Sequence, residues 1–394
     1  MIVYGLLLII YAIFSYSLTA PNLTLNSWPP YLSFQNWMWA TFFNNRPLLT
    51  ITYLAIIIGL FISYFLIIKK WPQKKKVPWW LPLLISAPLL ISNNALSYDV
   101  FNYIFNAKMV SVYQVNPHLS VALDFANDNW TRFMHNTHTP APYFYGWTGI
   151  SLIPYFMGGG KFITTWLSFR LFSWLSLGWL SYNLTKNSRQ NMWLLTLLLN
   201  PLLLIEVISN SHNDLWMMVP ALISMLMIAE NKNKMNIFYS LLLLLFSASM
   251  KLATLALLPL WLALFLPWKK LWPQLHSLLI NNWPLMSSIL MFLPLLTLRS
   301  KQFLPWYLIW PLIWLPLINE KWRVWKNALI VLSVSSLFRY LPYLWAGNYD
   351  GVINDVQLLI TWTPFALYLS YYVFQRVGCQ YLLCKIKIKE IIFN

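Results

Sequence analysis

The sequence predicts an all-α polytopic membrane protein with about twelve transmembrane helices, and three observations lead to that prediction. Of the 394 residues, 59% are hydrophobic and only 9% are charged, whereas soluble domains carry roughly a quarter charged residues. The apolar residues form near-continuous runs, such as 51–68 and 278–298, without the alternation that a β-barrel needs. The 24 Trp and 22 Tyr suit a protein with many membrane interfaces, where amphipathic rings settle.

Run length then gives the individual elements. The stretches predicted to span the membrane are 1–20, 50–68, 79–97, 162–184, 191–209, 212–229, 235–250, 252–268, 277–298, 303–318, 325–343 and 357–378. The segment 145–160 is short and ends in glycines, so it is predicted to be a re-entrant or interfacial helix. Residues 1–394 are therefore treated as one integral membrane domain with a long outer loop at 98–161.

The net charge is +17, and the positions of the basic residues along the chain indicate how the protein is oriented in the membrane. Basic residues follow every even-numbered span: Lys69, Lys70, Lys74, Lys75 and Lys76; Lys186 and Arg189; Lys232 and Lys234; Lys269 and Lys270; Lys321, Arg323 and Lys326; Lys385, Lys387 and Lys389. By the positive-inside rule, both termini are expected in the cytoplasm of a cell whose inner or plasma membrane holds the chain. Membrane lipids are the expected partners of these cations, and no nucleic acid is expected.

The usual cofactor signatures are missing from the sequence. Cys379 and Cys384 follow the last predicted span without metal-ligand spacing, and they are expected to be free thiols. No nucleotide-binding loop, glycine fingerprint or zinc signature occurs. We therefore expect neither a cofactor nor a metal site.

Asp99 is the most informative residue, because it is a carboxylate at the outer end of a predicted span and opens the loop. Acids near a bilayer usually mark function. Helical spacing within SYDVFNYIFNAK (97–108) gives one polar side, made of Asp99, Asn102, Tyr103 and Asn106. The pattern predicts an interfacial amphipathic helix that binds substrate. The alternative is that Ser97 and Asp99 only cap this helix.

A second polar cluster joins two spans in NPLLLIEVISNSHNDLWMM (200–218). Its candidate substrate-binding residues are Glu206, His212, Asn213 and Asp214. An unpaired charge within a span is costly, so Glu206 is expected to face a wet cavity and pair with His212, Lys251 or Arg339. The structural alternative is a capping box formed by Ser211 and Asp214.

Four cations are predicted at the outer face, where positive residues are disfavoured. They are Lys251, Arg299, Lys301 and Arg339. Each needs an anionic partner, which is either a lipid headgroup or a bound lipid phosphate. We take the four as candidate ligands of a lipid phosphate. For Lys251, the alternative is snorkelling to the interface.

The order of elements over residues 90–345 resembles the GT-C superfamily of polyprenyl-phosphate-sugar-dependent glycosyltransferases, in particular its bacterial mannosyltransferase-like branch. The resemblance lies in SYDVFNYIFNAKMVSVYQVNPH (97–118), TPAPYFYGWTGISLIP (139–154), a helix around Arg170, NPLLLIEVISNSHND (200–214) and QFLPWYLIWPL (302–312). It implies that the acid opening the first large outer loop is the general base, a role that falls on Asp99. The chain departs from the pattern in lacking an Asp-x-Asp motif, so a divalent metal is not supported.

The resemblance implies an inverting hexosyltransferase. It would move a sugar, with mannose as the first candidate, from a polyprenyl-phosphate donor to an acceptor glycan or glycolipid at the outer face. A lipid-linked donor is also expected on physical grounds, because no nucleotide-sugar pool exists outside the cell and the donor must arrive on a membrane lipid. One alternative is a lipid or oligosaccharide transporter or flippase, whose site is expected near the bilayer midplane. Another is an oligosaccharide polymerase or ligase.

Overall fold

The computed structural model describes residues 1–20, 23–72, 74–188, 190–230, 233–296 and 303–393, except the side chains of residues 269 and 376–393. Within these ranges the chain is helical and contains no β-strand, as the sequence predicts. The α-helices are α1 (Ile2–Phe14), α2 (Pro29–Met38), α3 (Arg46–Lys70), α4 (Leu81–Ser86), α5 (Asp99–Ser111), α6 (Tyr145–Met157), α7 (Phe162–Asn187), α8 (Asn191–Leu198), α9 (Pro201–Leu204), α10 (Asp214–Glu230), α11 (Lys234–Met250), α12 (Leu258–Phe265), α13 (Trp268–Leu271), α14 (Pro273–Phe292), α15 (Ile309–Leu312), α16 (Arg323–Phe338), α17 (Leu341–Ala346) and α18 (Ile353–Phe393).

Shorter turns of other helix types extend or join these α-helices. The 3₁₀ turns are Ser15–Leu18, Ala87–Ile91, Ala122–Phe125, Thr131–Phe133, Leu252–Leu257, Leu293–Leu296, Pro305–Leu308 and Glu320–Trp322, and the π-helical turns are Trp39–Phe43 and Ile205–Ser209. The last of these belongs to the second polar cluster. A π-helical turn inside a helix often lies at a functional site.

Three helices of the described chain are long and apolar enough to cross a membrane: Arg46–Lys70, Pro273–Leu296 and Glu320–Ala346. A fourth crossing results if Asn191–Leu198 and Pro201–Ser209, which meet at a bend of 45°, count as one span. The twelve crossings expected from hydropathy are not shown.

Several predicted spans are broken where the sequence contains proline. Residues 79–97 form α4 and a 3₁₀ turn, 191–209 divide at Pro201, and 252–268 and 303–318 each begin as 3₁₀ turns. Proline lacks the N–H that continues the helical ladder, and its ring clashes with the preceding turn. A hydropathy window counts it as an ordinary residue of an apolar run, so continuous helices were the wrong expectation there.

Helices of the predicted outer loop pack against the bundle and position the site. α5 and α6 contact each other and α7, and α6 also contacts α11. The backbone N–H of Phe144, just before α6, donates to the carbonyl of Met250 at the end of α11 (3.1 Å). This bond places Tyr143 beside Lys251, so the outer loop and the bundle both contribute to one polar cluster.

Candidate active site

Asp99 lies at the first position of α5 with its carboxylate turned toward the loop. Its backbone N–H donates to Ser97 Oγ (3.3 Å), but the Asp99 side chain makes no capping bond. Instead, Tyr143 Oη donates to Asp99 Oδ2 (2.7 Å), and Tyr103 Oη donates to Tyr143 Oη (3.3 Å). Capping is therefore not the role of this carboxylate in the structure.

The helix that Asp99 begins lacks the open polar side that we expected of an amphipathic helix. Both of its sides are covered, because Asn102 and Tyr103 are buried together with Phe101 and its apolar neighbours. The outer loop supplies the cover: the Phe133 ring lies 5.2 Å from that of Phe101, and the Tyr143 ring lies 5.3 Å from that of Tyr103. Sequence spacing shows two sides of a helix but not a loop that returns over the polar one.

Glu206 reaches the same cluster from the broken helix. The Asn200 side chain accepts from the N–H of Leu202 (2.9 Å), so a new helical turn begins at Pro201. The π-helical turn Ile205–Ser209 follows and turns Glu206 inward, with no exposed side-chain area. Its carboxylate accepts from Tyr340 Oη and from Asn210 Nδ2, each at 2.8 Å.

His212 lies between the two carboxylates. Its Nδ1 is 3.6 Å from Asp99 Oδ2, and its Nε2 is 3.4 Å from Glu206 Oε2. Ser211, with a φ of 59°, turns the chain through the left-handed region, where residues other than glycine are uncommon. The imidazole stacks on Trp306 with ring centres 3.9 Å apart. Of the three partners expected for Glu206, His212 lies next to it without a hydrogen bond, and the donors that Glu206 has are Tyr340 and Asn210.

Asp214 and Lys251 form a buried ion pair beside this group. Lys251 ends α11 in an extended conformation, and its Nζ donates to Asp214 Oδ1 (2.8 Å). Trp310 Nε1 donates to the same oxygen (2.6 Å). The capping box expected for Ser211 and Asp214 is wrong, because Asp214 Oδ1 accepts from Lys251 and Trp310 and Oδ2 has no hydrogen-bond partner among the described residues.

The sequence of this site matches one family model. It is described as alpha-(1->6)-mannopyranosyltransferase, N-terminal domain, and it matches residues 3–267, about two thirds of the chain. The chain belongs to this mannosyltransferase family. No curated protein and no solved structure matches the chain. Membership makes the protein a glycosyltransferase, and the match includes Asp99, Glu206, His212, Asp214 and Lys251.

The other predicted site residues of this glycosyltransferase lie in different surroundings. Arg339 is buried and donates to Thr361 Oγ1 (3.3 Å), so no bond joins it to Glu206. Asn106 is half-buried two turns beyond Asp99 on α5. Arg299 and Lys301 lie outside the described residues.

Sequence reasoning missed three residues that complete the site, namely Trp306, Trp310 and Tyr340. All three lie beyond the matched part of the chain. The spacing of the two Trp residues, four positions apart in QFLPWYLIWPL, was the available signal, since it places both on one side of a helix. Tyr340 gave no sequence signal, because it reaches Glu206 from 134 residues away.

Exposure distinguishes the three carboxylates of this transferase. The Asp99 side chain is 22% exposed, whereas those of Glu206 and Asp214 are completely covered. Burial raises the pKa of Asp99 above the ordinary value, although the Tyr143 hydrogen bond and the charge of Lys251 oppose the rise. A carboxylate with a raised pKa binds a proton more strongly, so Asp99 is both the accessible acid and a better base than an ordinary aspartate.

Several buried polar atoms of the site have no hydrogen-bond partner in the described part of the chain. They are Asn102 Oδ1, Asn210 Oδ1, both ring nitrogens of His212, both polar side-chain atoms of Asn213, and Asp214 Oδ2. Unpaired buried polar groups are costly and call for an explanation. A polyhydroxylated ligand would supply the missing partners. Among the described residues, no three His, Cys, Asp or Glu side chains converge on a point that could hold a metal ion.

Proposed function

We propose that this protein is a membrane mannosyltransferase that moves mannose from a polyprenyl-phosphate donor to a hydroxyl of an acceptor glycan or glycolipid at the outer face of the membrane. The single observation that carries the proposal is the Asp99 carboxylate. It is the accessible one of three clustered carboxylates, and it is oriented by Tyr143. A transferase of this kind needs one accessible base next to the acceptor oxygen.

The reaction proceeds by direct displacement in the GT-C manner. Asp99 Oδ2 takes the proton from the acceptor hydroxyl while that oxygen bonds to the anomeric carbon of the donor. The bond from that carbon to the phosphate oxygen breaks, and the polyprenyl phosphate leaves with the electron pair. One displacement inverts the anomeric configuration.

Lys251 stabilises the departing phosphate. Its Nζ lies 4.8 Å from the centre of the Tyr143 ring, so the cation and the base share one neighbour. Asp214 and Trp310 hold the cation in place before the donor arrives. A positioned cation aimed at developing negative charge needs little reorganisation during the reaction.

The decisive experiment replaces Asp99 by Asn in purified protein supplied with polyprenyl-phospho-mannose and an acceptor glycan. Asp99→Asn keeps the size of the side chain and removes its basicity. We expect transfer to fall about a hundredfold or more, the scale of a lost general base, with donor binding unchanged. Asp128→Asn is the matched control, because Asp128 also accepts a tyrosine hydroxyl and lies beside a lysine, and it should retain transfer.

Two outcomes would reject the proposal. Near-normal transfer by Asp99→Asn would remove Asp99 as the base. Movement of the lipid across the bilayer by the unmodified protein, without any new glycosidic bond, would indicate a flippase instead.

A further inference from the structure

His212 differs from the other unpartnered polar groups of the site, because its two ring nitrogens lie next to two carboxylates that belong to the protein itself. Its side chain is fully buried, and neither ring nitrogen has a hydrogen bond with a described residue. Yet the two nitrogens lie 3.6 Å and 3.4 Å from carboxylate oxygens of Asp99 and Glu206. A small closure of the site would turn both approaches into hydrogen bonds, because catalytic bonds are often long before substrate binds.

The tautomer of His212 follows from its neighbours. Glu206 already accepts from Tyr340 and Asn210 as a carboxylate does, and a third donor completes its coordination. His212 Nε2, which lies 3.4 Å from Glu206 Oε2, becomes that donor when the site closes. Nδ1 is then left with a lone pair near Asp99 Oδ2, where it can accept the proton once Asp99 has taken it from the acceptor.

Substrate binding determines which groups near Asp99 can still accept a proton from it. The exposed part of Asp99 is the part that an acceptor hydroxyl must approach, so the acceptor displaces water from it. Tyr143 remains in contact with Asp99, but its hydroxyl is the donor of that bond. Within the described structure, Nδ1 of His212 is then the basic atom near Oδ2 that belongs to neither substrate.

We propose that His212 relays the proton that Asp99 removes from the acceptor, an inference that rests on the proposed function. The acceptor O–H bond breaks and the proton passes to Asp99 Oδ2. It then moves to His212 Nδ1, leaving Asp99 ionised again and an imidazolium between two carboxylates. The proton leaves to water when the products depart. Moving the proton away from Asp99 makes its removal from the acceptor harder to reverse.

The carboxylates near the two ring nitrogens of His212 favour this imidazolium, whereas burial and the charge of Lys251 oppose it. Titratable groups face His212 or its partners from every packed element: Asp99 and Tyr103 from α5, Glu206 from the π-helical turn, Asp214 from α10, Lys251 from the end of α11, Tyr143 from the loop, Tyr307 from the turn before α15 and Tyr340 from beyond α16. Asp214 and Lys251 neutralise each other, so Asp99 and Glu206 are the two carboxylates left to stabilise a cation at His212 against its burial. Trp306 presents its ring face to the imidazole, and a cation over an aromatic face is also favourable.

The test measures turnover against pH for His212→Gln, which keeps polar atoms in place but cannot carry a proton. Both Asp99 and His212 must be unprotonated for the relay. In the unmodified enzyme, the fall of the rate at low pH (the acidic limb of the profile) therefore reflects two protons that bind as a coupled pair. We expect His212→Gln to lower kcat roughly tenfold or more, with donor KM unchanged, and to reduce the acidic limb to one proton. The matched control is His118→Gln, because His118 also stacks on an aromatic ring, with centres 4.0 Å apart, but its side chain bonds Thr148 and forms no ion pair with a described carboxylate.

Glu206→Gln provides a second arm that leaves His212 in place. Removal of the charge that holds the imidazolium should move the second protonation step to lower pH. The relay would be overturned if the acidic limb of His212→Gln still reflected two protons, or if the acidic limb of Glu206→Gln lay at the same pH as that of the unmodified enzyme. If Asp99→Asn abolishes transfer while His212→Gln behaves as the unmodified enzyme, only the relay fails. If Asp99→Asn retains transfer, the proposed function fails as well.

Discussion

At the scale of single residues, two aspartates of the predicted outer loop have similar partners but different environments. Asp128 accepts from Tyr113 Oη (2.8 Å) and pairs with Lys108. Burial would raise the pKa of Asp128, but hydrogen bonds from Lys108, the Trp130 backbone and Tyr113 outweigh it, so its pKa lies below the ordinary value. An aspartate with its own cation is a weak base.

Asp99 differs because its neighbouring cation is already engaged. Lys251 binds Asp214 and not Asp99. The pKa of Asp99 therefore stays raised by burial, with the Tyr143 hydrogen bond as the main opposing influence. The identity of a lysine's partner thus decides which aspartate is suited to remove a proton.

The first prediction concerns Tyr143. Asp99 acts as a base only when ionised, so transfer falls as the pH drops through its folded-state pKa. The Tyr143 hydroxyl stabilises the ionised form, and Tyr143→Phe should raise that pKa and move the acidic limb of the rate profile to higher pH. Tyr113→Phe removes the equivalent bond to Asp128 and should leave the profile unchanged. An unmoved limb in Tyr143→Phe would show that this bond does not tune the base.

The second prediction concerns the buried ion pair. Lys251→Met leaves the covered carboxylate of Asp214 without its cation, which should cost about 3–5 kcal/mol of stability in thermal unfolding of the purified protein. The double variant Lys251→Met, Asp214→Asn should recover most of that loss. In this stable background, donor affinity should remain weaker by about 1.5–3 kcal/mol, because the phosphate lacks its charged donor.

Two controls accompany the lysine variants. Lys108→Met, at the other lysine–aspartate pair, should leave donor affinity unchanged. Asp214→Asn alone keeps the cation and should retain donor binding. Full donor affinity in the double variant would remove Lys251 from the phosphate site.

At the scale of helices, Arg170 of α7 holds the broken elements together. It is fully buried and donates to the Leu89 carbonyl (2.9 Å), to Asn94 Oδ1 (2.7 Å) and to the Ser209 carbonyl (2.8 Å). These acceptors lie in or next to the short turns 87–91 and 205–209. One guanidinium thus joins the turn after α4 to the π-helical turn that carries Glu206.

The third prediction concerns the contact between α6 and α11. A Cβ on Gly146 would lie 2.7 Å from backbone atoms of Ser249, so Gly146→Ala forces the two helices apart. We expect a loss of about 1–3 kcal/mol in thermal unfolding, the cost of overpacking. Gly149→Ala lies one turn further on α6 with nothing within 4 Å of its new Cβ, and it should unfold at the same temperature or higher. Equal stability of the two variants would contradict the close approach.

At the scale of the whole molecule, the site needs both parts of the chain. The family match ends at residue 267, whereas Trp306 stacks on His212, Trp310 binds Asp214 and Tyr340 binds Glu206. The unmatched part therefore closes the buried side of the cluster. A fragment restricted to the matched residues would expose Glu206 and Asp214 and would lose the distinction that makes Asp99 the accessible acid.

The fourth prediction tests orientation in intact cells. In a background with Cys379 and Cys384 replaced by Ser, single cysteines are introduced at the exposed positions Asn127, Asn348 and Lys74. The basic runs predict that a membrane-impermeant thiol reagent labels the first two and not the third. Labelling at position 74 alone would show that the orientation is the opposite of the predicted one, with Asp99 on the cytoplasmic side.

The sequence by itself determined the helical class and the family resemblance, and it named most of the residues that the structure brings together in the candidate site. In lipid, the backbone groups of a long apolar run must be hydrogen-bonded within the run, which favours a helix. Because charged residues are scarce in such runs, a charged residue there is a functional candidate. Asp99, Glu206, His212, Asp214 and Lys251 were all identified in this way. The continuity of several helices was misjudged, because a proline changes hydropathy little but breaks the backbone ladder.

Only the tertiary structure decided the pairings. Spacing along the chain reports neighbours within one or two helical turns, whereas Asp99 meets Tyr143 across 44 residues and Lys251 meets Asp214 across 37. Those long-range contacts determine which cation is neutralised and which carboxylate still reaches solvent. The basicity of Asp99 and the isolation of His212 therefore depend on packing between helices, and local sequence patterns contain no record of it.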